Sequence, residues 1–139
     1  MIIDANKLIL GRIATTSAKK ALMGEKIDII NCENAVITGS KKDVLGKIRQ
    51  RVKRGIPAKG PFYPRRADMF VRRSIRGMLP YKQEKGKKAF KMIMCYVGVP
   101  EKLKDKESKT IKSANFSKIP NLKYITVGEV CKEIRTKGI

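Results

Sequence analysis

Positive charge is distributed so unevenly along this chain that it restricts both how the chain can fold and what must lie beside it. Between residues 41 and 88 there are 17 Lys or Arg and only three acids, Asp43, Asp68 and Glu84, leaving +14 of a total formal charge of +21 in about a third of the 139 residues. A solvated surface mixes both signs, and a compact domain carrying such an excess repels itself. The cations of this stretch must therefore form an outer face, with the apolar residues between them turned inward. A dense polyanion neutralises such a face, and nucleic acid fits best.

A membrane surface is the other polyanion to weigh. No run approaches the roughly 18 apolar residues that a spanning helix needs. Met1-Ile2-Ile3-Asp4 also lacks the basic region followed by an apolar stretch that begins an export signal. These features point to the cytosol, without membrane or small-molecule partners. Cys32, Cys95 and Cys131 are odd in number and widely spaced, and the chain has no His, which excludes the common zinc patterns. They read as small buried hydrophobes in a reducing compartment. With 42% hydrophobic residues, the chain has material for one core, so residues 1–139 are expected to form a single domain.

The apolar pattern predicts an α/β opening. Ile2 to Ala5 reads as a strand, and residues 10 to 23 as a helix whose stripe is Ile13, Ala14, Ser17, Ala18, Ala21 and Leu22, stopped by Gly24. The apolar runs Ile27 to Ile30 and Ala35 to Thr38 read as strands, the first buried on both faces. Ser40 with Asp43 resembles a capping box and introduces a helix ending near Gly55, with Val44, Leu45, Ile48 and Val52 facing inward. Asp68 to Gly77 is expected to be helical, Val71, Ile75 and Met78 facing the core and Arg72, Arg73 and Arg76 facing away. Lys85 to Met92 is a short basic helix, Met92 to Val97 a last strand, and Pro100 a break. Residues 101–123 are polar and mixed in charge, and read as a surface connection with at most one short helix. Thr126-Val-Gly-Glu129 is a capping box for a final helix with Val127, Val130, Cys131 and Ile134 inside.

The candidate RNA-binding residues follow from where the charge falls. The helix after Ser40 carries Lys41, Lys42, Lys47, Arg49, Arg51, Lys53 and Arg54, with Asp43 as its only acid. Residues 55–68 hold three prolines and two glycines within Gly55 to Arg66, and are expected to be an extended segment that contributes Lys59, Arg65 and Arg66. Arg72, Arg73 and Arg76 follow, then Lys82, Lys85, Lys87 and Lys88. The planar guanidinium fork can bridge phosphate oxygens or stack on a base, which favours the arginines as contacts. Phe62 and Tyr63 sit inside the basic stretch; they could stack on an unpaired base or pack on the protein's own core.

Catalytic readings fare poorly. Gly55-Ile-Pro-Ala-Lys-Gly60 has the glycine spacing of a phosphate loop, but Pro61 and Phe62 stand where a Lys and a Ser or Thr belong. No G-x-G-x-x-G follows the first strand, and the absence of His removes the commonest general base. Asp4, Asp28 and Glu33 make sense as strand-end, cap and turn residues. No cofactor or metal is expected.

The run Phe70-Val-Arg-Arg-Ser-Ile-Arg-Gly-Met-Leu-Pro80 resembles the signature of the large-subunit ribosomal protein L13 (uL13) family, with Gly77, Met78, Leu79 and Pro80 as its most specific part. Leu10-Gly-Arg-Ile-Ala14, Asn31 through Gly39 with Lys41 and Lys42, and Val97-Gly-Val-Pro100 are similar to the family in the same order. The segment from Gly60 to Arg66 resembles the archaeal and eukaryotic branch; without the bacterial His-Thr-Gly-Tyr type stretch or a long C-terminal extension, the archaeal type fits best. The resemblance implies a three-layer α/β/α domain with a small, mainly parallel four-stranded sheet. It also implies an architectural, non-enzymatic role on large-subunit ribosomal RNA beside neighbouring ribosomal proteins, supporting subunit assembly in the cytoplasm. One spacing conflicts with it: only about four residues separate the second and third strands, where a parallel crossover needs roughly a dozen, so either they form a hairpin or one strand boundary is wrong. Two rivals remain open, a DNA-compacting protein and a metal-dependent nuclease using Asp28 or Glu33.

Overall fold

A computed structural model describes residues 1–118, 120 and 123–136. Strand β1 (Ile2–Asp4) leads to helix α1 (Leu10–Leu22), strands β2 (Ile27–Ile30) and β3 (Val36–Thr38), and the basic helix α2 (Lys41–Lys53). After an irregular segment come α3 (Ala67–Gly77), α4 (Glu84–Lys91) and β4 (Ile93–Cys95), then β5 (Tyr124–Thr126) and α5 (Val127–Thr136). Among the described residues, no helix is long and apolar enough to cross a membrane.

The class is α/β, as expected, but the strands divide differently from a single four-stranded sheet. β1, β2 and β4 form a parallel sheet with β2 central, while β3 pairs antiparallel with β5. The short link after β2 explains this. Asn31 adopts a left-handed conformation (φ 54°) that Asn tolerates better than most residues, and a 3-10 turn, Cys32–Asn34, redirects the chain before β3. β3 therefore neither returns parallel beside β2 nor forms a hairpin with it, and the spacing conflict disappears with both strand boundaries nearly as expected.

Period-2 alternation puts Ile3, Ile27, Ile29, Ile93 and Cys95 on one face of the sheet, where they join the apolar cluster of Ile13, Ala14 and Ala18 from α1 and Phe70, Val71 and Ile75 from α3. The opposite face is only partly covered. Ile2 and Asp28 are half-buried and Met94 is exposed, with Leu103 and Lys109 bordering Ile2 and Asp28. β2 is thus not buried evenly on both faces, and the predicted core strand from Met92 to Val97 shortens to three residues with Val97 exposed.

Helix packing follows the predicted stripes with two exceptions: Leu22 and Met78 are exposed, and Leu10 and Leu79 occupy core positions instead. The Ser40 Oγ accepts the Asp43 backbone N–H at 3.2 Å and Thr126 Oγ1 that of Glu129 at 3.2 Å, so both predicted caps form. Cys32, Cys95 and Cys131 are all buried and free; burial pushes the Cys131 thiol up to about 11.

The 101–123 connection is more structured than its composition suggests. Its described residues include three 3-10 turns, Glu101–Leu103, Lys112–Ala114 and Phe116–Lys118, and the backbone of Lys109 and Ala114 bonds to Ile2, Asp4 and Ile9. Each turn buries at most one side chain, so no periodicity announces it. Residues 119, 121 and 122 of that connection, and 137–139 of the expected domain, lie outside the described residues.

Candidate nucleic-acid interface

Helices α2 and α3 flank the irregular segment 54–66, and this arrangement builds the basic face. Gly55 and Gly60 adopt positive φ (91° and 84°), which lets the chain close on itself. Backbone bonds join Ile56 to Gly60 in both directions at 3.2 and 2.8 Å, and a Cβ on Gly55 would lie 1.9 Å from the Gly60 carbonyl oxygen. The segment then runs back along α3. Tyr63 packs edge-on against Phe70 (5.8 Å between centroids), Arg73 Nη1 donates to the Phe62 carbonyl at 2.7 Å, and Arg135 Nε of α5 donates to the Arg65 carbonyl at 3.2 Å. The expected extended segment is instead a closed turn followed by a strap pinned to α3, and it ends at Arg66 because residues 67 and 68 begin that helix.

The three arginines of α3 behave alike. Arg72 lies 4.5 Å from the Phe90 ring centroid, Arg73 4.7 Å from Tyr63 and Arg76 5.2 Å from Tyr81. Each ring comes from a different segment: the strap, α4 and the turn after α3. Arg72 and Arg73 are half-buried rather than fully outward, since the rings fold over them; Arg76 is exposed. A guanidinium flat on a ring keeps its N–H edge available for a phosphate or a base.

Among the described residues, two hollows are lined by both Arg73 and Tyr63, and a third, about 540 Å³, reaches Phe62 and Tyr63 from the Gly55–Gly60 turn. Of the first two, one, about 380 Å³, is lined by Arg51, Arg54, Pro61, Tyr63, Phe70, Arg73, Ser74 and Gly77, with no acid among them. The other, about 340 Å³, is lined by Phe62, Tyr63, Pro64, Met69, Arg72, Arg73, Arg76 and Phe90. Phe62 and Tyr63, left open between two roles by the sequence, divide them: Tyr63 packs on the core, while Phe62 is 71% exposed.

Other predicted residues lie elsewhere. Arg49 turns inward to Glu133 of α5 at 3.1 Å, and Arg66 forks onto Asp68 at 3.2 and 2.8 Å, so each holds an acid of its own protein. Lys88 pairs with Glu84 at 2.8 Å, an exposed contact that holds it weakly. Lys41, Lys42, Lys47, Lys53, Lys59, Arg65, Lys82, Lys85 and Lys87 are exposed. Of these, Lys53, Lys59 and Arg65 belong to the segment and its entry. Lys41, Lys42 and Lys47 lie toward the start of α2, and Lys82, Lys85 and Lys87 around α4.

Sequence reasoning missed Met69, Ser74 and Phe90 as walls of the hollows, and Lys26 and Lys91, which share a further hollow with Lys88 and Met92. Phe90 alone carried a signal, an aromatic residue inside a basic helix. The signature residues form a corner: Gly77 ends α3, Leu79 is buried, and the Pro80 carbonyl abuts Gly86, where a Cβ would lie 2.1 Å away.

Fold and face together define a small α/β protein with a cluster of arginines, Arg51, Arg54, Arg72, Arg73 and Arg76, along α3 and the end of α2. The family model described as Ribosomal protein L13 matches residues 1–102, and the chain belongs to that family, whose members are structural, non-enzymatic components of the ribosome. The large ribosomal subunit protein uL13 of Methanosarcina barkeri is 47% identical over 137 residues, covering 98% of each chain. That of Methanopyrus kandleri is 43% identical over 135 residues, 96% of this chain and 85% of its own, and that of Archaeoglobus fulgidus 38% over 139 residues, 99% and 89%. These relatives are archaeal, in keeping with the resemblance of Gly60 to Arg66.

Proposed function

We propose that this protein is a structural constituent of the large ribosomal subunit, in the cytoplasm, that binds large-subunit ribosomal RNA through the α2–α3 face and supports subunit assembly beside neighbouring ribosomal proteins. The hollow between α2 and α3 carries this reading. Arg51, Arg54 and Arg73 converge there without an acid, and Gly77 leaves its wall open: a Cβ at this position would meet nothing within 4 Å. Gly77 has no positive φ to require glycine, so the protein's own packing does not explain it, whereas close approach of a sugar–phosphate backbone does. Phosphates drawn together by RNA folding would be neutralised on this face, and recognition would depend on RNA shape rather than a base code.

Filter binding of the full chain to protein-free large-subunit RNA across a salt series tests it. Arg51→Ala and Arg54→Ala should each lower the log–log salt slope by about 0.7–0.9, one phosphate contact apiece. Equal affinity for duplex DNA, or slopes unchanged by both substitutions, would overturn the reading.

A further inference from the structure

We infer that the hollow beneath Phe62 is a pocket for one unpaired base extruded from the RNA, held between the Phe62 ring and the arginines of α3. This deepens the proposed RNA-binding function and rests on it, but it concerns a different kind of contact: stacking in an apolar recess rather than phosphate neutralisation.

The two hollows beside the Arg73–Tyr63 stack differ in chemistry. Arg51 and Arg54 make the first a cationic cleft. The second is walled by Phe62, Met69 and Phe90, with arginine edges at its margin, and at about 340 Å³ it lies in the range of roughly 300–1,000 Å³ typical of small-molecule pockets. An apolar recess with three arginines around it suits a ligand with a flat apolar face, polar edges and a negative charge beside it. A stacked base attached to its phosphate has all three.

Three observations make the recess a prepared one. Phe62 is 71% exposed and Met69 48%, large apolar side chains whose exposure the protein's own packing does not relieve. The backbone that carries the Phe62 ring is nevertheless anchored, because its carbonyl accepts from Arg73 at 2.7 Å. At the same recess Arg72 lies 4.5 Å from the Phe90 ring centroid, so guanidinium and ring together form part of its wall. The charge selects the occupant: an apolar protein segment brings no negative charge to the three guanidiniums lining the recess, whereas RNA supplies acceptors and the opposite charge.

Stacking and phosphate contact are separable by experiment, because only the second depends steeply on salt. With protein-free large-subunit RNA as probe, Phe62→Ala should weaken binding roughly 5- to 150-fold with an unchanged salt slope, and Phe62→Trp should restore it. Ultraviolet crosslinking of the wild type to the same RNA should place a nucleotide adduct on the peptide holding Phe62 and Tyr63. Thermal melting should match across the variants, since the ring is exposed. If Phe62→Ala binds as the wild type does while Arg51→Ala still lowers the slope, the base pocket is wrong and the phosphate-binding face stands. If Phe62→Ala binds naked RNA normally but subunits containing it lose a neighbouring protein, the recess holds that protein and the inference fails. If the wild type does not bind the RNA, the proposed function fails with it.

Discussion

Arg73 shows how much of the candidate interface rests on single side chains. Its guanidinium lies over Tyr63 and donates to the Phe62 carbonyl, and it walls both hollows, so one residue holds the strap and borders the cleft and the recess alike. Lysine would preserve the charge but offers neither a planar face to the ring nor the same fork. Arg73→Lys should cost about 1 kcal/mol through the lost stack and hydrogen bond. Limited proteolysis within residues 55–66 should then speed up; an unchanged cleavage rate would mean that Tyr63 on Phe70 and the Arg135 contact hold the strap unaided. Arg49 makes the complementary point. Its charge was visible in the sequence as one of six cations on α2, but not its pairing with Glu133, 84 residues away. Residue type says what a side chain can do, and only its neighbours decide which of those things it does.

At the scale of elements, the turn from α3 into α4 carries opposite demands on two glycines. Gly86 is buried against the Pro80 carbonyl with no room for a Cβ, whereas Gly77 faces open space. Gly86→Ala should force α4 away from the turn and destabilise the protein by roughly 1–3 kcal/mol, read from the urea midpoint. Gly77→Ala should leave stability unchanged or raise it by up to about 1 kcal/mol, because alanine favours the helix, yet weaken RNA binding by obstructing the cleft. A stable Gly77→Ala variant with wild-type affinity would remove this position from the interface. Elements longer than eight residues were legible in the sequence because each repeats its apolar face several times: α1, α2 and α3 fall within about two residues of their expected limits, and α5 begins at its expected cap. β5 was not. Its three residues make a single buried contact, Ile125, and their pairing with β3 is specified by a strand nearly ninety residues earlier.

For the whole molecule, +21 charges on 139 residues make the isolated protein and its RNA complex respond oppositely to salt. Added salt screens self-repulsion and should raise the thermal midpoint of the free protein, while it releases the RNA. A free protein whose midpoint falls with added potassium chloride would show that its few ion pairs, Arg49–Glu133 among them, outweigh the repulsion. The α/β class, the basic outer face, the helices and the family signature could all be read from residue order, because charge excess and helical period are local properties of a sequence. Three features required the folded chain: the separation of β3 from the parallel sheet, the rings laid over Arg72, Arg73 and Arg76, and the division of Phe62 from Tyr63 between solvent and core. Each depends on contacts between distant segments, whose cost in chain entropy is offset only when the complete core forms.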